Sequence, residues 1–155
     1  MALARILVDG YSLLHCWQAL APGRPRHAAA AREELIHVLT RYHDACGTPV
    51  TIVFDGSGPK RGADETPSTS EVEILFSRGG QTADQIIERA AHRLQPYGEV
   101  LVVTDDIAER DTVMNMGSLA ASCDNFVRTV ESALDEMERD VKNFNQRERT
   151  RYQRG

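Results

Sequence analysis

Three short apolar runs, each ending in aspartate, constrain this chain more than any other feature. Arg5–Val8 runs into Asp9, Val50–Phe54 into Asp55, and Val100–Thr104 into Asp105 and Asp106. Unbroken apolar runs bounded by turn signals are expected of strands covered on both faces, as in a parallel sheet. Val72–Phe76 reads as another such strand. The intervening segments follow a helical period instead. Leu35, Val38, Leu39 and Tyr42 share one face of a helix over 28–45 that stops at Gly47. Thr82 is placed to cap a helix reaching Gln95, with Ile86, Ile87, Ala90, Ala91 and Leu94 inward. Ile107–Met116 is a further helix, broken by Gly117-Ser118. A last helix begins near Asp124 and carries Phe126, Val130, Leu134, Met137, Val141 and Phe144 at helical spacing. Strands alternating with helices predict an α/β fold with a mainly parallel sheet.

If the runs are neighbouring parallel strands, their terminal acids share one sheet edge, where open α/β sheets place ligands. Asp84, in the first turn of its helix, is a fourth acid for the same crevice. Clustered carboxylates raise one another's pKa unless a cation lies between them. Mg²⁺ or Mn²⁺ takes oxygen ligands and keeps waters, so the pattern points to a divalent-metal site. Taken singly, each aspartate is most often a turn former or helix cap, and Asp84 suits a helix N-terminus on electrostatic grounds alone. Glu88 lies one turn beyond Asp84 on the same face, where it either extends the site or is solvated.

Other chemistries find no support. There is no GxSxG elbow, P-loop lysine, GxGxxG or HExxH. His15-Cys16 are adjacent and point apart, and His37, His43 and His92 lack metal-ligand spacing. Cys16, Cys46 and Cys123 form no CxxC pair, which argues for reduced thiols in a cytoplasmic setting, with Cys16 and Cys123 as core residues. No apolar run approaches the ~20 residues of a membrane span, and the first residues lead into a strand without signal-peptide character.

The 155 residues suit one domain, and the net charge is −5. That charge is uneven. Lys142, Arg147, Arg149, Arg151 and Arg154 face only Glu148 in the last stretch, leaving residues 1–141 strongly acidic. A domain over 1–141 with a basic extension over 142–155 is the simplest division. An acidic metal site with a basic arm is compatible with a nucleic-acid substrate, and a solvated helix end accounts for the charges equally well.

The order Val8-Asp9-Gly10-Tyr11, Val53-Phe54-Asp55, Ile74-Leu75-Phe76, Thr82-Ala83-Asp84, Thr104-Asp105-Asp106 and Gly117-Ser118 resembles the YacP-like NYN-domain family of PIN-like nucleases. The resemblance covers roughly residues 4–135. It implies a PIN-like three-layer α/β/α sandwich and divalent-metal-dependent endoribonuclease activity. Bacterial members of this type are linked to cutting mRNA on translating ribosomes, so RNA and the ribosome are the implied partners. Carried over by position, Asp9, Asp84 and Asp106 are the catalytic, metal-holding acids. Asp105 stands where the family often has Ser or Asn and adds a ligand or only charge. Asp55 is similar to the acid of a Phe-Asp-Gly motif in related flap-type nucleases. The family's first motif usually reads Asp-Gly-Tyr-Asn, whereas here Ser12 takes the last position, with a hydroxyl on a shorter arm.

Together these readings predict Mg²⁺ or Mn²⁺ held by Asp9, Asp84 and Asp106, with Asp55 and Asp105 in a second shell or second metal position. Ser12 faces the RNA beside the site. Lys60 and Arg61 in the loop 56–70, and Arg78 in the loop 77–82, would contact phosphates, and Arg147, Arg149 and Arg151 would anchor RNA or a ribosome. The rival on the same fold is a non-catalytic RNA- or ribosome-binding module. A phosphatase would want DxDxT, and a receiver domain a lysine after its last strand. The first strand ends instead in Asp9-Gly-Tyr-Ser, and no lysine closely follows Val100–Val103.

Overall fold

In a computed structural model, residues 3–23, 25, 28–56 and 71–154 are described. Five strands, β1 (Leu3–Asp9), β2 (Val50–Phe54), β3 (Val72–Phe76), β4 (Glu99–Val103) and β5 (Leu119–Ala121), form one sheet in the order β3-β2-β1-β4-β5. All four pairings are parallel. The helices are α1 (Gly10–Cys16), α2 (Ala29–Cys46), α3 (Ala83–Leu94), α4 (Ile107–Asn115) and α5 (Cys123–Arg154). The four apolar runs became strands because each packs apolar side chains on both faces, fully buried in β2 and partly buried in the edge strand β3. Ile6, Val8, Ile52 and Phe54 pack against α1, α2 and α5 through Leu13, Leu35, Leu39, Phe126 and Val130. Leu7, Val53, Val100 and Val102 pack the other way, against Ile87, Ala90 and Ala91 of α3 and Val113 of α4. The outcome is the expected three-layer α/β/α sandwich. β5 was not foreseen. It is three residues long, at the sheet edge, with Leu119 exposed.

The helix boundaries follow their local chemistry. The Thr82 hydroxyl accepts from the Gln85 amide while the Gln85 side chain accepts from the Thr82 amide, a reciprocal cap that fixes the start of α3. Gly47, in the left-handed conformation, ends α2. α5 runs unbroken for 32 residues, so 142–154 continues the helix that docks on the sheet. Its apolar spacing outlasts the core: Phe126 and Val130 are buried, but Val141 and Phe144 are 54% and 62% exposed. No described helix is long and apolar enough to cross a membrane.

The chain moves outward from β1 to β2 and β3, then returns to place β4 on the other side of β1. The order therefore reverses between β1 and β4, and a crevice opens there at the carboxyl ends of the strands. Asp9 and Thr104-Asp105-Asp106 lie on its two lips.

Candidate active site

Three helices begin around this crevice, and each brings a carboxylate. Asp9 is the N-cap of α1 and Asp106 the N-cap of α4, while Asp84 lies in the first turn of α3. Capping alone explains each placement. The connections between them do more. Asp9 Oδ1 accepts from the Ser12 amide at 3.4 Å, and Asp9 Oδ2 accepts from the Thr104 hydroxyl at 3.4 Å. The same Thr104 oxygen accepts from the Asp106 amide at 3.2 Å. Thr104 is fully buried, so this one hydroxyl ties the end of β1 to the start of α4. Asp106 Oδ1 accepts from the Ala108 and Glu109 amides, which fixes its carboxylate over the crevice.

Gly10 makes the close approach of α1 possible. A Cβ there would lie 2.4 Å from the Phe54 ring. Phe54 is sandwiched between Tyr11 and Phe76, so it has little freedom to yield. The Asp-Gly pair thus combines an acid at the strand end with the one residue that lets the next turn fit.

The field in the crevice is negative. Burial pushes the Asp9 carboxyl up to about 6, with Asp84 and Asp55 adding to the rise and the Ser12 and Thr104 hydrogen bonds opposing it. Asp84 is also raised, first by burial and then by Asp106, Glu88 and Asp55. Glu109 is pushed up to about 8 by burial, by contact with Glu88, and by Asp84 and Asp106. Asp9, Asp55, Asp84 and Asp106 therefore act on one another as a group. Asp55 Oδ1 also accepts from the buried Ser77 hydroxyl at 2.7 Å, which holds it at the rim.

Asp105 faces elsewhere. Its Oδ1 accepts from the Cys123 amide at 2.9 Å, the first residue of α5, and its charge acts on Cys16 and Cys123. The Ser12 hydroxyl joins this second cluster, accepting from the Asp105 amide at 3.0 Å and from the Cys123 thiol at 3.5 Å. Ser12 thereby fastens the β4–α4 loop to α1. Arg78 is exposed in the turn before α3, and Arg147, Arg149 and Arg151 are exposed far along α5, with Arg151 paired to Glu148. Lys60 and Arg61 lie outside the described residues. Sequence reading passed over Glu109 and the bridging role of Thr104. The Asp106-x-x-Glu109 spacing, which puts both acids on one face of α4, was the available signal for Glu109.

Among the described residues, no three acidic, histidine or cysteine side chains already close into a metal cage. The donors are nonetheless all carboxylate or hydroxyl oxygens that repel one another, and one buried carboxylate oxygen, Glu109 Oε1, has no partner. Such a set fits a hard divalent cation that keeps part of its water.

A model of the YacP-like NYN domain matches residues 6–154. The chain belongs to that family. It is 30% identical over 138 residues to a Bacillus subtilis (strain 168) protein described as uncharacterized protein YacP, covering 88% of this chain and 81% of that one. The crystal structure of Rae1 (YacP) from Bacillus subtilis superposes with a TM-score of 0.77 at 27% identity, over 97% of this chain and 85% of that one. Its W164L mutant gives the same TM-score at 28% identity, over 93% and 85% of the two chains. NYN domains are nuclease-type, generally divalent-metal-dependent domains, and this NYN domain is accordingly nuclease-type and RNA-related.

Proposed function

We propose that this NYN domain is a divalent-metal-dependent endoribonuclease that hydrolyses phosphodiester bonds of mRNA, acting on the ribosome in a cytoplasmic setting. The observation that carries this reading is the joining of Asp9 and Asp106 through the buried Thr104 hydroxyl, with Asp84 facing them. Bound at these acids, Mg²⁺ or Mn²⁺ would supply an activated water and offset charge on the phosphate. Asp9, Asp84 and Asp106 hold the cation, directly or through water. Asp55, fixed by Ser77, borders the site. Asp105 and Ser12 keep the β4–α4 loop in place. Arg78, exposed in the turn before α3, meets phosphates entering the crevice. Arg147, Arg149 and Arg151 give α5 a salt-sensitive grip on RNA.

The test is cleavage of a labelled mRNA, free and in a translating extract, with Mn²⁺ or EDTA. Asp9→Asn/Asp106→Asn is expected to lower cleavage about 100-fold or more, since loss of groups at a metal site costs at least that of their supporting partners. Metal-dependent cuts that persist in the double variant would sink the reading.

A further inference from the structure

Glu109 is the one buried charged residue among the described residues, 4% exposed, and its Oε1 has no hydrogen-bond partner. Its position invites a capping role, because the third residue of a helix often reaches back to the N-cap amide. That role is already filled: the Asp106 amide donates to Thr104 instead. No described cation pairs with Glu109 either. A buried carboxylate without a counter-charge is costly, and proteins retain one chiefly where something binds it. Around it stand Glu88 and Asp84 from α3 and Asp106 from α4. Glu88 is in hydrogen-bonding reach, so two carboxyls meet with either a proton or a cation between them.

We infer that Glu109, together with Glu88, supplies ligand oxygens for a divalent cation on the α3–α4 side of the crevice, directly or through water. This rests on the metal-dependent nuclease reading and extends its donor set beyond Asp9, Asp84 and Asp106. The two helices contact each other. Asp84 and Glu88 are one turn apart on α3, and Asp106 and Glu109 are one turn apart on α4. Asp84, Glu88 and Asp106 all act on the Glu109 carboxyl, and Glu109 is the most buried of the four.

Mn²⁺ binding by the full chain, followed by electron paramagnetic resonance without RNA, separates the possibilities. The proteins compared are wild type, Asp9→Asn, Glu109→Gln and Glu88→Gln. Glu109→Gln and Glu88→Gln are expected to bind Mn²⁺ about tenfold more weakly or worse, while melting in EDTA no earlier than wild type. A smaller loss in Glu109→Gln, with Asp9→Asn clearly impaired, overturns the role of Glu109 and leaves the nuclease reading standing. If wild type itself binds no Mn²⁺, both fall. Should Glu109→Gln fail to fold, Glu88→Gln decides by the same criterion.

Discussion

The two walls of the crevice are built on opposite rules. On the β1–β4 side, polar atoms are matched: Asp9 with Ser12 and Thr104, Thr104 with Asp106, Ser12 with Asp105, Asp105 with Cys123. On the α3–α4 side, Asp84, Glu88 and Glu109 face other carboxylates, Asp106 among them, and the most buried of the three has an oxygen without a partner. The first wall has the satisfied hydrogen bonding of a scaffold. The second has the burial and mutual repulsion of a binding surface, with burial the larger cause, and together they raise carboxyl pKa values and cost stability until a ligand arrives. One wall holds shape, and the other holds charge.

The difference is most exposed by pH. Asp9 at about 6 and Glu109 at about 8 keep protons in the fold that the unfolded chain has already released. The folded state therefore binds more protons, and stability falls as pH rises from about 4 to about 8. Urea midpoints measured in EDTA at pH 5, 6.5 and 8 should decline in that order. Glu109→Gln should flatten the upper part of the decline, and added Mn²⁺ should oppose it. A wild-type midpoint that is level across this range would mean that neither Asp9 nor Glu109 holds its proton in the fold.

A smaller effect is expected from the scaffold wall. Gly10→Ala drives a methyl into the Phe54 ring, and an overpacked site of this kind loses about 1–3 kcal/mol. The loss should be the same with and without metal, since it concerns packing. A variant as stable as wild type by urea unfolding would show that Phe54 moves aside freely. Smaller still is Ser12→Ala, which removes the acceptor for the Asp105 amide and costs about 1 kcal/mol. It should slow RNA cleavage by loosening the Asp106 loop while leaving the pH dependence of stability unchanged. A changed pH dependence in Ser12→Ala would mean that the two walls are not separable.

Much of this architecture is legible in the chain itself. Val50–Phe54 is apolar at every position but Thr51, the pattern of a strand covered on both faces. The Thr82–Gln85 pair announces the start of α3. β5 was not legible because Leu119–Ala121 is too short for a period and leaves Leu119 exposed. Val141 and Phe144 show the opposite limit: helical spacing persists in α5 where no core meets it. The acids divide similarly. Strand ends brought Asp9, Asp55 and Asp106 together, as their positions imply. Asp105 and Asp106 are adjacent, yet one loop turns Asp106 onto α4 and Asp105 onto α5, a choice fixed by Ser12 and the Cys123 amide. Glu109 escaped notice because a glutamate in a first helical turn is ordinary. Its burial, its unpartnered Oε1 and the capture of the Asp106 amide by Thr104 make it unusual.

The bridge from Thr104 to Asp9 spans 95 positions of sequence. Synthesis makes Asp9 well before Thr104, and the partner lip exists only after β4 has been made and has paired beside β1. Contacts so distant form late, after the local helices. Any fragment that stops before Thr104 carries the first acids without the crevice, so synthesis itself withholds the assembled site until β4 and the start of α4 are made.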